Sequence, residues 1–307
     1  MTVVMREPAM PQGLDTLSKS RAYCRDLTRR EARNFYYGLK LLPEPKRSAM
    51  YALYAYMRLV DDIADDEGNG RTVERRRMEL DQWEGLTHQA VDAAAKGENG
   101  EGPRGHILWP AFTDMVREYR VPAKVFEDMI AGQRQDLEPV AIEHFEALRE
   151  YCYRVASVVG VASLYVFGFQ GGEETLRMGA DRGIAFQLTN VLRDLREDAR
   201  RGRCYIPREE LVRFGISAGE IAEGRESAAF GELMVFQMRR AESYFERSAA
   251  LDARIETDSR PTLRAMTGIY RGLLNKIGHD PAAVLRGRVC LSGWNKLRIA
   301  WRAMRGG

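Results

Sequence analysis

Apolar residues along this chain recur every three or four positions and almost never alternate, which is the spacing of helices that bury one face. Residues 187–207, QLTNVLRDLREDARRGRCYIP, show it clearly: Leu188, Val191, Leu192 and Leu195 keep to one side, and between Asp181 and Arg201 only Gly183 weakens a helix. Residues 51–66, YALYAYMRLVDDIADD, are denser in apolar and aromatic side chains and predict a second, more deeply buried helix. Further helices are predicted at 17–28, 72–86, 107–119, 122–134, 142–169, 208–214, 218–225, 230–253 and 261–277. Pro43 and Pro45 part a short aromatic helix from the long one that follows, and Pro261 opens the last. Residues 66–71 read as a turn, and 88–106, with Gly97, Gly100, Gly102, Pro103 and Gly105, as a flexible surface loop. No stretch predicts a strand, and no internal repeat emerges. The pattern predicts one all-α domain over 18–307, a bundle with two aspartate-rich helices facing a central cavity. A loose tail is expected at 1–17, where Pro8, Pro11 and Gly13 discourage helix.

Composition narrows the classes without choosing among them. With 307 residues, 45% hydrophobic and 30% charged, the chain can bury a substantial core in the manner of a soluble globular protein. Its 47 basic and 44 acidic side chains leave a net charge of +3, too little for bulk affinity for nucleic acid, so none is expected among its partners. Cys24, Cys152, Cys204 and Cys290 stand apart with no CxxC pair, which argues against a zinc site and for a reducing compartment. The start of the chain, with Arg6, Glu7 and two prolines, has no apolar core of a signal peptide, and the longest apolar run, 155–169, is too short to span a bilayer. A cytoplasmic protein is the expectation.

Candidate chemistry lies on the two leading helices. Asn190, Asp194 and Asp198 recur every four residues, so their oxygens line one face over about two turns. A row of hard oxygen donors suits magnesium, which commonly shares its remaining positions with phosphate oxygens. Upstream, Asp61 and Asp65 repeat the spacing, with Arg58 a turn earlier and Tyr54 a turn before that. Either acidic pair alone reads equally well as a solvated helix face. The setting of Asp61 and Asp65 in YALYAYMRLV tilts the balance, because a charge there is costly unless paired or metal-bound. Asp61, Asp65, Asn190, Asp194 and Asp198 are thus the proposed metal ligands for several magnesium ions. Arg58 and Arg193 are free, on this reading, to grip phosphate by the guanidinium fork.

Together these residues resemble the squalene and phytoene synthase family of head-to-head prenyl transferases. The likeness rests on DDIAD at 61–65, on QLTNVLRDLREDARRGRCYIP, on NFYYGLKLLPEPKRSAMYALYAYMRLVDD from Asn34, on YCYRVASVVG from Tyr151 and on IYRGLLNKI from Ile269, and it runs over roughly 18–297. It implies the isoprenoid synthase bundle and two allylic prenyl diphosphates as substrates. It also implies that Arg33 and Asn34 contribute to diphosphate binding, that Asp136 stands at the cavity mouth, that Tyr151 lies near the departing diphosphate and that Arg288 turns inward to phosphate. Arg58, Gln187, Arg193, Tyr270 and Arg288 would orient the diphosphates. Phe35, Tyr36, Tyr54 and Phe186 would shield a carbocation from water.

The product is less sharply written. The first choice is two 15-carbon farnesyl diphosphates joined to presqualene diphosphate or squalene, because 34–62 resembles that branch; the alternative is a phytoene synthase condensing two 20-carbon geranylgeranyl diphosphates. A non-catalytic relative is the rival from another class, marked by lost motif carboxylates, and all five proposed ligands are present. NADPH would serve only a reductive squalene synthase. Gly100, Gly102 and Gly105 satisfy GxGxxG, yet no apolar strand precedes them and no βαβ unit surrounds them. After Asp280 the chain carries Arg286, Arg288, Lys296, Arg298, Arg302 and Arg305 and no acidic residue, interleaved with Trp294, Leu297, Ile299, Ala300 and Trp301. Such an end could lie on an anionic membrane or near downstream pathway enzymes, or be a solvated charged terminus.

Overall fold

The computed structural model describes residues 14–32, 35–65, 70–97, 102–137 and 142–305. Among the described residues sixteen α-helices follow in order: α1 (Leu14–Glu31), α2 (Phe35–Leu39), α3 (Lys46–Ala64), α4 (Val73–Ala95), α5 (Trp109–Tyr119), α6 (Ala123–Gln135), α7 (Phe145–Cys152), α8 (Val158–Phe167), α9 (Gly172–Arg200), α10 (Arg208–Phe214), α11 (Ala218–Glu223), α12 (Ala228–Arg247), α13 (Leu251–Arg254), α14 (Arg260–His279), α15 (Ala283–Arg286) and α16 (Gly293–Met304). A π-helical turn, Tyr153–Ser157, joins α7 to α8. Among the described residues the only β pairing is one isolated bridge between Phe169 and Ile255, and no helix is long and apolar enough to cross a membrane.

Two large apolar clusters make most of the core among the described residues. One surrounds α3, where Tyr56 stacks on Phe112 at 4.4 Å and meets Phe126 edge-on at 5.3 Å. The other surrounds α9, whose Leu188, Val191, Leu192 and Leu195 pack with Phe245, Leu273 and Ile277. Both α3 and α9 pack against α8, with α6 and the π turn beside it, while α3 and α9 share no extended contact with one another. The two acidic helices are therefore held apart by a common support.

Several expected boundaries move, each for a local reason. Helix α1 begins at Leu14, so residues 14–17 of the expected tail are helical; the rest of it, residues 1–13, lies outside those described. Helix α4 runs on to Ala95, through the stretch read as loop, because the alanines of its last turns favour helix and the glycines begin only at Gly97. The long helix expected over 142–169 is broken. Its first residues are extended, since the carbonyls of Ile142 and Glu143 accept the N–H groups of Arg208 and Glu209, and His144 then caps α7. Likewise α12 ends at Arg247 and not at 253, where buried Ser248 receives Arg182 Nε at 2.9 Å.

Candidate active site

Helix α9 presents its chemistry on one face because the opposite face is spent on the core. Asn190, Asp194 and Asp198 line the partly exposed side, and Leu188, Val191, Leu192 and Leu195 are buried behind them. Gly183 allows this helix to approach the π turn: a Cβ there would lie 2.5 Å from Ser157 Cα and 2.9 Å from Ser157 N. Nδ2 of Asn190 donates to Gln187 Oε1 at 3.2 Å, and the amide also reaches the Tyr270 hydroxyl. Its Oδ1 is left buried with no partner. An orphaned buried carbonyl costs roughly 1–3 kcal/mol, so a cation at that oxygen would relieve a penalty already present.

At the end of α3 the pair is less regular than its spacing suggests. Asp61 lies on the helix, half-buried, and accepts Gln133 Nε2 of α6 at 2.6 Å. Asp65 is the C-cap: its N–H donates to Asp61 O at 2.7 Å, but its ψ of 67° takes it out of the helix and its side chain is exposed. Desolvation, and then the Asp65 charge, push Asp61 up to about 7, while Arg58 acts to lower it. Asp136, just past α6, is pushed up to about 6 by burial, with Arg203 opposing and Asp65 adding; its Oδ1 is also buried without a partner. Asp198 is raised to about 6 by burial, Asp194 and Glu197 against Arg203 and Arg201. Three carboxylates raised for the same two reasons mark a region short of positive charge.

Arg203 is the cation that joins the two halves. It lies beyond the end of α9, 3.7 Å from Asp65, and acts electrostatically on Asp136 and Asp198. Sequence reading passed over it. The signal was its place in RGRCYIP, immediately after the acidic row, and Tyr205 in the same stretch was missed in the same way. Tyr205 stacks on Tyr151 at 5.0 Å. The Tyr151 hydroxyl is within hydrogen-bonding reach of both Tyr205 and Asp136, and burial first, then Asp136, hold it protonated far above the usual phenol range.

The arginines are not free as expected. Arg58 pairs with Asp62 at 2.5 Å. Arg193 grips Asp194 through both oxygens, with Nε at 2.8 Å from Oδ1, and Arg288 Nε reaches the same Oδ1 at 2.9 Å. Asp194 thus pairs with both cations proposed to hold phosphate beside α9, its single charge shared between them. A diphosphate or metal ion entering here would exchange these pairs.

Aromatic walls divide between two places. Phe186 stacks on Tyr270 at 4.2 Å, and Phe35 tilts against the same ring at 6.0 Å, so these three meet beside Asn190. Tyr54 is half-buried near Arg58 and Asp61, and burial pushes its hydroxyl up to about 12. Tyr36 does not join them. One residue turns a helix by about 100°, and Tyr36 stacks on Tyr51 at 6.1 Å and lines a separate groove of about 560 Å³ with Arg25, Lys40 and Arg47. None of the proposed metal ligands lines that groove. Arg33 and Asn34 lie outside the described residues.

The donor set fits a hard divalent ion shared with a ligand. Among the described residues no three carboxylate, histidine or cysteine side chains converge enough to enclose a cation by themselves. Magnesium is commonly held by one or two carboxylates with substrate phosphates and water, so separate oxygen rows on α3 and α9 suit it once a diphosphate supplies the remainder. Of the GxGxxG glycines, Gly102 and Gly105 fall in an irregular segment before α5, with no strand ahead of them among the described residues, and Gly100 lies outside those described.

Comparison with known proteins is consistent across sequence and fold. The family model described as squalene/phytoene synthase matches residues 28–295. The chain is 34% identical over 302 residues to 15-cis-phytoene synthase of Synechococcus elongatus, covering 94% of each chain. It is 35% identical over 285 residues to phytoene synthase of Mycobacterium tuberculosis, covering 91% of this chain and 88% of that one. Among solved structures it is similar to a dehydrosqualene synthase bound to a ligand, with a TM-score of 0.80, 27% identity and coverage of 95% and 98%. It is also similar to squalene synthase HpnC from Alicyclobacillus acidocaldarius, with a TM-score of 0.76, 25% identity and coverage of 88% and 97%.

Proposed function

The chain belongs to the squalene/phytoene synthase family of head-to-head prenyl transferases, and from that premise we propose that it condenses two geranylgeranyl diphosphates to phytoene. The observation that carries the chain-length choice is the agreement with phytoene synthases of 34% and 35% identity over nine-tenths of the chain. That moves the weight from the 15-carbon product, first choice on sequence, to the 20-carbon alternative. The 15-carbon reading keeps a specific support in the dehydrosqualene and squalene synthase folds at 27% and 25% identity.

Divalent ions held by Asp61, Asp65, Asn190, Asp194 and Asp198 together with diphosphate oxygens would neutralise the leaving group as the allylic C–O bond breaks. The protein's own part is binding, shielding and proton control. Arg193 and Arg288 already stand together on Asp194, and both reach a phosphate placed beside α9 by giving up that shared carboxylate. Arg58 does the same at α3 by leaving Asp62. Phe35, Phe186 and Tyr270 form an apolar wall next to Asn190, where π faces stabilise a cation and offer no nucleophile. Tyr151, held protonated between Asp136 and Tyr205, offers a hydroxyl that can donate to a departing oxygen without becoming a base. Breaking the first C–O bond releases diphosphate and lets one prenyl chain attach to the other, and loss of a proton closes the ring of a cyclopropylcarbinyl diphosphate. Ionisation of that diphosphate, rearrangement and loss of a proton then give the hydrocarbon without a reductant.

Expression in a bacterium engineered to supply geranylgeranyl diphosphate tests the reading. Phytoene in the lipid extract, absent from an Asp194→Asn control, is the expected result. A 30-carbon hydrocarbon in place of phytoene would return the assignment to the 15-carbon branch.

A further inference from the structure

Four of the nine large apolar side chains exposed among the described residues lie on one twelve-residue helix near the end of the chain. Trp294, Leu297, Trp301 and Met304 of α16 are 78%, 48%, 48% and 54% exposed. Their spacing of three, four and three residues places them on a single stripe. The opposite side of the helix is already used: Ala300 and Ala303 pack with Ala265 and Leu41, and Ile299 lies against α14, where a Cβ on Gly268 would come within 2.7 Å of its Cγ2. The outward stripe is thus not a misplaced core face, because the core face is present and occupied.

Beside the stripe runs a second one, of charge. Arg298, Arg302 and Arg305 each follow one of its members by one residue, about 100° around the helix, and all three are exposed. The Arg305 guanidinium lies over the Trp301 ring, 3.7 Å from its centroid. No acidic residue follows Asp280. A second copy of this surface would bring arginines against arginines, so charge complementarity disfavours self-association and favours an anionic, apolar-cored partner.

We propose that α16 is an in-plane membrane anchor that lays Trp294, Leu297, Trp301 and Met304 into the boundary of an anionic bilayer, with Arg298, Arg302 and Arg305 at the level of the lipid phosphates. Tryptophan favours that boundary, and short basic helices of this kind bind it without spanning. The anchor sits on the outer side of α14, the helix whose Tyr270 forms part of the apolar wall, so the bilayer would lie one helix away from the site. The proposal rests on α16 alone and does not depend on which prenyl chain is condensed.

The test uses the full chain with vesicles of phosphatidylcholine, alone or mixed with phosphatidylglycerol. Trp294 and Trp301 are two of four tryptophans, and Trp109 is fully buried and Trp83 partly so, so the change in emission on lipid addition reports mainly on α16. Expected are flotation with the anionic vesicles only, a blue shift on binding, and quenching by lipids brominated in the acyl chain. At about 1 kcal/mol for each basic residue, Arg298→Gln with Arg302→Gln and Arg305→Gln should weaken binding roughly a hundredfold. Trp294→Ser with Leu297→Ser and Trp301→Ser removes both reporters, so this variant is read by flotation: it should no longer float with the anionic vesicles while its melting temperature holds. Absence of wild-type binding to anionic vesicles, binding indifferent to lipid charge, or binding without acyl-chain quenching would each overturn the proposal, as would a solution dimer that the serine variant dissolves.

Discussion

Replacing Gly183 by alanine places one methyl group where α9 meets the π turn, and the atoms it would strike cannot swing aside. They are Ser157 Cα at 2.5 Å, Ser157 N at 2.9 Å and Ala156 O at 3.0 Å, all backbone. Ordinary carbon contacts lie near ~3.5–4.0 Å, so helix and turn must separate by about 1 Å. Overpacking of this kind costs about 1–3 kcal/mol, against the roughly 1 kcal/mol that alanine gains over glycine in a helix. The net loss, up to about 2 kcal/mol, lowers the melting temperature by up to about 3 °C for a chain of 307 residues, at about 2.1 cal/mol/K of unfolding entropy per residue. Turnover should fall further, by about a hundredfold, because a 1 Å displacement moves Asn190 and Asp194 relative to Tyr151. Gly85 supplies the control: it lies exposed on α4, nothing stands within 4 Å of where a methyl group would project, and Gly85→Ala should raise the melting temperature slightly with turnover unchanged. Calorimetry with steady-state turnover reads both. Wild-type stability and rate in Gly183→Ala, or equal losses in both variants, would refute the reasoning.

Asp194→Asn and Asp61→Asn should each abolish magnesium-dependent turnover while leaving the helical circular dichroism intact; an active Asp194→Asn enzyme would remove α9 from the metal site. Asn190→Ala frees the orphaned oxygen's penalty together with its proposed ligand role, so stability should hold or rise while magnesium affinity, followed by isothermal titration with inorganic diphosphate, drops at least tenfold. Stability should also respond to pH in a definite sense. Asp61, Asp136 and Asp198 hold protons in the folded chain up to about 7, 6 and 6, above their unfolded range, so the folded state binds more protons than the unfolded one between about pH 4 and 7. The metal-free protein should therefore melt lower at pH 8 than at pH 5.5, and magnesium with diphosphate should recover the loss; a melting temperature that rises across that interval would contradict the desolvated cluster.

Much of this arrangement was legible in the sequence, and the parts that were not share a physical cause. The fourfold spacing of Asn190, Asp194 and Asp198 against buried leucines determines both a helix and its polar face, because periodicity records burial directly. Spacing says less at an end. Asp65 fits the same register as Asp61, yet it caps α3 and leaves the helix, as end positions depend on what the chain does next. Adjacent aromatics mislead when grouped by composition: Phe35 and Tyr36 sit on different sides of one short helix. The π turn has no composition of its own, and is traceable only through the glycines, Gly132 and Gly183, that approach it. Arg203 escaped notice because two of the carboxylates it faces, Asp65 and Asp136, lie far from it in sequence, a relation that only the fold creates.

Purified enzyme with magnesium, offered equal amounts of all-trans farnesyl and geranylgeranyl diphosphate in one vessel without NADPH, gives the most direct measurement of the central claim. The ratio of hydrocarbon products reports kcat/KM for the two chain lengths under identical conditions. A predominance of phytoene with release of two diphosphates per product is the expected result. Presqualene diphosphate or a 30-carbon product in excess would contradict the chain-length assignment, and no condensation of either substrate would contradict the catalytic reading itself.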